Sequence, residues 1–485
     1  MVVPGSPPWC EDKWREEILR RELVVQASVL ANLAAKLEHG EDFPTATPPR
    51  LCRLFEETAK IIGNYIPSAP AKHLRIVNNV LCTIAEYLRF IERSRMTQTP
   101  WSMVQAAEAF LKRQAGKECE FIIRPQWAFN YGIVGEFVEV CREMIRLLPW
   151  IPLADWEKAV GEIGRRRIYC LSFPRIQRLN CLSHASWGHE VGHIIALRWL
   201  NKEFQNLWAK EKPKIRKAIE KDVLANPPPV EPLLKDLYIQ DVVVNKLMCA
   251  ADVARQGLEE LLCDAIGVHL LGPAALAAAC EFSARYYLDE SPLQRGQYPP
   301  WRYRLRLMLE ECEEDLKNCK PAASTDLEYP GPLLKEYILW LKEVSLLVAD
   351  NKDEQVLKGD VITRVVYSLI EKRWPSIRKA VLKLLPKNSS RPYRLRERVA
   401  IINDLITKIE EGIPPNEEGV WPSTTVATFE DVLNAGWAFK MTKVRTQSGW
   451  GSAEDCQGLF CLLLKGMESS FVQSTFGTRL PVPQA

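Results

Sequence analysis

The residues best suited to chemistry are His189, Glu190 and His193, which lie within the string His-Glu-Val-Gly-His. On an α-helix, positions i and i+4 lie one above the other on the same face, so the two imidazoles can bind one metal ion. Glu190 would project beside that ion, where its carboxylate could take a proton from a bound water. The pattern therefore predicts a hydrolytic zinc site with Glu190 as the general base. The alternative is two core histidines on an amphipathic helix, with an unrelated glutamate between them.

A third zinc ligand must come from elsewhere in the chain, because a catalytic zinc ion usually has three protein ligands. A third histidine at the close spacing would be residue 199, which is Trp199. Glu260 is the stronger candidate, since Asp264 lies four residues later and shares its helical face. Glu260 can ligate zinc while Asp264 accepts the spare N–H of a ligating imidazole. Glu259 is the alternative ligand, and a solvated helix edge is the alternative for the Glu260–Asp264 pair.

The H-E-x-x-H motif, followed after a long gap by E-x-x-x-D, resembles the gluzincin metallopeptidases. The resemblance covers roughly residues 165–310 and is strongest to the metallopeptidases related to CAAX prenyl proteases and their HtpX-like relatives. That group commonly has H-P-x-x-x-x-R downstream, and residues 298–304 have its spacing with Tyr298 in place of histidine. The resemblance implies that Tyr298 donates to the oxyanion of the tetrahedral intermediate and that Arg304 braces the site. The alternative is a proline-started helix in which Arg304 pairs with an acidic neighbour.

Composition excludes several classes of partner. Hydrophobic residues make up 47% and charged residues 26% of the 485 residues, as in soluble globular proteins. The net charge of +3, with acidic and basic residues interleaved, gives no case for nucleic acid. The longest weakly charged run, residues 265–280, is too short to span a membrane, so no membrane partner is expected. The fourteen cysteines form no C-x-x-C pair and residues 1–5 have no signal pattern, which favours a reducing cytoplasm.

Hydrophobic spacing along the chain is mostly helical and predicts a mainly α (α+β) fold. We expect a helical, zincin-like metallopeptidase core with a small sheet, flanked by N- and C-terminal helical regions. The expected segments are an N-terminal helical region at 1–116 and a catalytic domain at 117–325. A C-terminal helical region is expected at 326–468 and a flexible tail at 469–485.

Local patterns near the motif predict the elements that position it. Stretches rich in β-branched and aromatic residues predict one or two strands over 118–124 and 127–134, and a further strand at 167–174. Residues 168–172 are the candidate for an edge strand that pairs with an extended peptide substrate. Ser183 is the expected N-cap of the motif helix, and a long helix is expected to end at Leu271, with a break near Asn245 or Gly257 left open.

These patterns support three functional hypotheses. The leading one is a zinc-dependent peptidase that cleaves an unidentified peptide or protein, with Zn²⁺ as its cofactor. The competing one is a helical interaction or regulatory protein with a structural or degenerate zinc site, whose flanking helices bind a protein partner. A third is a protease held latent by those flanks or by the tail. His184, five residues before the motif, is expected to serve as a cap or in the core, with a role in the site as the alternative.

Overall fold

Helices dominate the computed structural model, which describes residues 8–40, 42–226, 235–289, 298–317, 332–349, 361–386, 392–418 and 425–476. The expectation of a mainly α (α+β) fold is confirmed, since a small three-stranded sheet accompanies these helices. The chain forms two compact units, Met1–Lys112 with Gly116–Arg178 and Arg113–Ala115 with Leu179–Ala485. The segment 117–325 thus spans parts of both units, and its assignment as one catalytic domain stays a prediction.

The first unit packs amphipathic helices and a sheet around an aromatic core. Phe55, Tyr87 and Phe137 meet there, with the Tyr87 and Phe137 ring centroids 4.9 Å apart in edge-to-face contact. Its helices, the last residues of α4 excepted, are α1 (Pro8–Glu38), α2 (Thr47–Tyr65), α3 (Leu74–Glu92), α4 (Trp101–Ala115), α5 (Phe137–Arg146) and α6 (Leu153–Val160). Its strands are β1 (Cys119–Gln126), β2 (Gly132–Val134) and β3 (Arg167–Pro174).

The sheet has the order β1-β3-β2, so the strand predicted at 167–174 exists but lies in the middle. β3 pairs in parallel with β1 along its length, and its residues 170–172 also pair with antiparallel β2. The expectation that residues 168–172 form an edge strand for a peptide substrate is therefore wrong. The parallel partner β1 is separated from β3 in sequence by α5 and α6, and local patterning cannot reveal such a long-range pairing.

The second unit is a helical assembly with one two-stranded ribbon. In the part of this unit that the structure describes, the elements are α7 (Trp187–Ala225), α8 (Lys235–Leu271), α9 (Pro273–Ser283), α10 (Trp301–Lys317), α11 (Pro332–Ala349), α12 (Val361–Leu382), α13 (Leu395–Glu410), β4 (Glu417–Glu418), β5 (Thr425–Val426), α14 (Phe429–Thr446) and α15 (Ala453–Phe476).

The helix boundaries correct two expectations. Ser183 is not the N-cap of the motif helix, because it lies inside a 3-10 turn, Cys181–Ser186, where its N–H donates to the Asn180 side chain. The expected tail is wrong for residues 469–476, which belong to α15, and residues 477–485 lie outside the described part. Ser470 Oγ donates to the Asn416 carbonyl and Gln473 Nε2 donates to Glu417, so side-chain hydrogen bonds hold the end of this helix.

The long helix predicted to end at Leu271 is α8, which is unbroken from Lys235. Neither Asn245 nor Gly257 interrupts it, and residues 231–234 lie outside the described part. None of the cysteines whose side chains the structure describes forms a disulfide bond. Among the described residues, no helix combines the length and apolar character needed to cross a membrane.

Candidate metal centre

Small residues bring α7 and α8 into close contact at the motif. A Cβ atom added to Gly192 would lie 2.7 Å from Cys263 Cα, and one added to Gly188 would lie 3.1 Å from Gly267 Cα. Real side chains cannot approach backbone atoms this closely, so glycine is required at Gly192. The helices run antiparallel here, since Gly188 meets Gly267 and Gly192 meets Cys263. This approach places the carboxylates of α8 beside the imidazoles of α7.

Each motif imidazole forms a hydrogen bond with a carboxylate through Nδ1. His189 Nδ1 is 2.8 Å from Asp264 Oδ1, and His193 Nδ1 is 2.8 Å from Glu259 Oε1. A carboxylate accepts from a ring N–H, which places the proton of a neutral imidazole on Nδ1 and leaves the Nε2 lone pair free to bind a metal. The rings meet edge to face, with centroids 5.1 Å apart.

Both Nε2 atoms lie near the Glu260 carboxylate. Glu260 Oε2 is 3.4 Å from His189 Nε2, and Glu260 Oε1 is 3.9 Å from His193 Nε2. Ligand atoms bound tetrahedrally at about 2.0–2.2 Å from one zinc ion lie about 3.3–3.6 Å apart; the His189–Glu260 distance falls in this range and the His193–Glu260 distance lies slightly above it. Cys263 offers another donor, because one ligand atom from each of His189, His193 and Cys263 lies within 4.8 Å of the others. The group formed by His189, His193 and Cys263 could therefore hold a metal ion.

Arg304 of α10 joins the two carboxylates Asp264 and Glu260. Its Nε and Nη2 donate to Asp264 Oδ2 and Oδ1 at 2.7 and 2.8 Å, and its Nη1 lies 3.3 Å from Glu260 Oε2. The guanidinium carbon lies 4.2 Å from the centroid of the Trp301 ring. Such a bidentate contact fixes the orientation of Asp264, which in turn orients His189.

Ionisation of these buried groups is strongly coupled. Burial opposes the charged form of His189, but hydrogen bonds with Asp264 and Glu260 outweigh it and raise the imidazole pKa to about 10. Burial likewise opposes ionisation of Asp264, yet Arg304 and His189 hold its pKa well below the ordinary range. The pKa of Glu260 is lowered despite burial by His189 and Arg304. The carboxylates are thus ionised and the site favours a cation.

Glu190 and Tyr298 complete the set of residues expected at the site. Glu190 is buried, and burial raises the pKa of its carboxyl group while the two imidazoles oppose that rise. Tyr298 is half-buried and its hydroxyl interacts with Glu260; burial and then Glu260 raise its pKa to about 12. The Tyr298 hydroxyl therefore stays protonated near neutral pH and can act as a hydrogen-bond donor.

The structure brings together every residue that the sequence singled out for the site, namely His189, Glu190, His193, Glu260, Asp264, Tyr298 and Arg304. Glu259, considered only as an alternative ligand, instead accepts from His193. Glu259 and Asp264 are five residues apart on a helix that runs antiparallel to α7. This spacing could have indicated that each of the two carboxylates accepts a hydrogen bond from one imidazole. His184 is fully buried and stacks on Trp187, with ring centroids 4.4 Å apart, as expected for a core residue.

No protein-family model, no curated protein and no solved structure matches the chain.

Proposed function

We propose that this protein is a zinc-dependent peptidase of the gluzincin type, in which His189, His193 and Glu260 hold the zinc ion. The observation that carries the proposal is the approach of both Nε2 atoms to one carboxylate, at 3.4 and 3.9 Å, while both Nδ1 atoms are engaged elsewhere. Two imidazoles and a carboxylate leave a fourth zinc position open to water, as catalytic sites do. The buried carboxylates supply the negative charge that a divalent cation requires.

The residues around His189 and His193 favour a role for these histidines as metal ligands over an ordinary contact between helices. Asp264 and Glu259 set the tautomer and ring orientation of His189 and His193, and Arg304 fixes Asp264 in its turn. Partners of this kind also raise the basicity of a ligating imidazole. Two core histidines with no ligand role would not need a separate carboxylate for each ring.

When bound, zinc would supply a Lewis acid that polarises a carbonyl group and lowers the pKa of a water towards about 7. Glu190 accepts the proton of the attacking water at its carboxylate and returns it to the leaving amine nitrogen. The raised pKa of the Glu190 carboxyl group suits both steps, because a group whose pKa lies nearer to neutral pH can accept a proton and then give it back. Tyr298 donates its hydroxyl hydrogen to the carbonyl oxygen as negative charge develops there.

The test is peptidase activity towards an unstructured polypeptide, such as reduced and alkylated casein, with Glu190→Gln as the diagnostic variant. We expect about one zinc per chain in both proteins and roughly 10²–10⁴-fold slower cleavage in the variant, since the substitution removes the base but no ligand. Glu203→Gln, on an exposed position of the same helix, is the matched control and keeps the wild-type rate. A Glu190→Gln protein that cleaves at the wild-type rate would refute the proposal.

A second candidate function follows from Cys263, whose sulfur lies close to both imidazoles. A thiolate there would occupy the fourth zinc position, and closed four-ligand sites are structural. The protein would then be a helical interaction or regulatory protein whose flanking helices bind a protein partner. Cys263→Ser separates the two functions, because a structural site loses its zinc and the proposed catalytic site keeps it.

The substrate of the proposed peptidase is a peptide or protein, and we propose the reducing cytoplasm as its compartment. The cysteines whose side chains the structure describes form no disulfide bond, which supports that compartment, since disulfides are rare there. A nucleic-acid or membrane partner has no support in the charge balance of the chain or in its described helices.

A further inference from the structure

The first unit contains a buried arginine that meets no acidic side chain. Arg124 lies on β1 and is 5% exposed. Its Nε is fully buried and has no hydrogen-bond partner, and no ion pair involves Arg124 among the residues that the structure describes. A buried charge without a counter-charge is strongly unfavourable, and natural proteins pair such groups or bind an ion with them.

Glu120, on the same face of β1, shows how this unit treats a buried charge. Glu120 is 2% exposed and lies four residues before Arg124, so both side chains leave the same side of the strand. Arg50 Nη1 lies 2.5 Å from its Oε1, and Thr47 donates to its Oε2 at 3.4 Å. The described part of the chain therefore compensates the buried charge of Glu120 and supplies no carboxylate for that of Arg124.

The neighbours of Arg124 are neutral, and some offer donors. Its guanidinium carbon lies 3.7 Å from the centroid of the Phe90 ring, and a ring face satisfies the face of the cation but not its in-plane N–H groups. Ser172 is its register partner on β3, and the buried Ser172 hydroxyl has no hydrogen-bond partner. The Cys170 thiol lies against both groups, and burial raises its pKa, so it stays neutral.

A planar fork of N–H donors beside a hydroxyl group is the recognition chemistry of an oxyanion. The fork can donate two parallel hydrogen bonds to a carboxylate or a phosphate, and the hydroxyl can donate a third. We propose that Arg124 and Ser172 form a binding site for the carboxylate or phosphate group of a small molecule. The site lies in the unit that lacks the metal centre and is independent of the proposed peptidase function.

The experiment measures binding of acetate and of inorganic phosphate to the full-length protein, with sodium chloride as reference at the same ionic strength. The readouts are the thermal midpoint and isothermal calorimetry, with each anion raised to about 100 mM. We expect acetate or phosphate to raise the midpoint above that in chloride, and the stronger of the two identifies the ligand group. Equal midpoints in all three salts overturn the proposal.

Variants assign the response to the site. Arg124→Met should weaken the anion roughly tenfold or more, because hydrogen bonds to charged groups are the strong ones. Arg142→Met is the matched control: Arg142 also lies over an aromatic ring, that of Trp156, but it pairs with Glu139, so the anion response should be unchanged. If Arg124→Met does not fold, Ser172→Ala tests the same site, and we expect its response to the anion to be several-fold weaker than that of the wild type. A wild-type response in both Arg124→Met and Ser172→Ala overturns the proposal.

Discussion

Arg304 and Arg124 are buried to the same extent but have opposite surroundings. Each is 5% exposed, and each guanidinium lies over an aromatic ring, Trp301 for Arg304 and Phe90 for Arg124. Arg304 contacts two carboxylates that belong to the chain, whereas Arg124 contacts none among the described residues. The aromatic contact is common to both, so it does not decide whether a buried arginine is compensated.

The difference shows what each region requires from outside. Around Arg304 the carboxylates exceed the permanent cation, since Glu260 and Asp264 share one arginine. This surplus of negative charge is why the pKa of His189 is raised to about 10, and a divalent cation would relieve it. Around Arg124 the surplus is positive and an oxyanion would relieve it.

The largest expected effect tests the difference between Arg304 and Arg124 directly. Arg304→Met should lower the unfolding free energy of the metal-free protein by about 3–5 kcal/mol, because it leaves Asp264 and Glu260 buried without their cation. Arg124→Met in chloride buffer should change it by no more than about 1 kcal/mol or raise it, since no internal pair is broken. Chemical denaturation measures both. Equal losses in the two variants would contradict the account.

The matched control for Arg304→Met lies on the same helix. Arg306 is also largely buried, but its partners Glu310 and Glu371 are exposed. Arg306→Met should therefore cost about 1 kcal/mol or less. A loss as large as that of Arg304→Met would show that packing, not charge compensation, sets the effect.

The next effect concerns the helix contact that assembles the metal centre. Gly192→Ala should lower the unfolding free energy by about 1–3 kcal/mol, because the new methyl group meets the Cys263 backbone. Zinc affinity should fall with it, since the carboxylates of α8 move away from the imidazoles. Gly458→Ala, in open space on α15, is the control and should stabilise by about 0.5–1 kcal/mol. An unchanged Gly192→Ala protein, measured by denaturation and zinc titration, would rule out the close contact.

Glu259→Gln tests the carboxylate whose role the sequence did not identify. We expect the zinc dissociation constant to rise roughly 10–100-fold, because His193 loses the partner that orients its ring and raises its basicity. Competition with a chromophoric chelator measures it, with Glu203→Gln as the neutral control. An unchanged dissociation constant would show that Glu259 does not contribute to zinc binding.

The smallest effect is the acid dependence of the metal-free protein. Asp264 and Glu260 have pKa values below their ordinary ones, so their stabilisation is present above about pH 4 and is lost as the pH falls. The expected slope is on the order of 1 kcal/mol per pH unit between pH 5 and 3.5. It should be shallower in Arg304→Met, because Arg304 helps to lower both pKa values. Denaturation curves across this range give the slopes, and identical slopes would contradict the assignment.

Local pattern was enough to predict which side chains meet at the candidate site but not how they pair. The i, i+4 periodicity of a helix places His189 above His193 and Glu260 above Asp264, whatever the rest of the fold does. Which carboxylate meets which imidazole depends on the rotation of α8 against α7, and contacts such as Gly192 with Cys263 set that rotation. The central position of β3 was equally hidden, because its parallel partner is far away in sequence.

The zinc K-edge X-ray absorption spectrum of the zinc-loaded protein tests the central claim most directly. The claim is that His189, His193 and Glu260 hold zinc with one position open to water. The account predicts only nitrogen and oxygen ligands, at about 2.0–2.2 Å. A sulfur ligand at about 2.3 Å, lost in Cys263→Ser, would show a closed structural site and contradict the proposed peptidase.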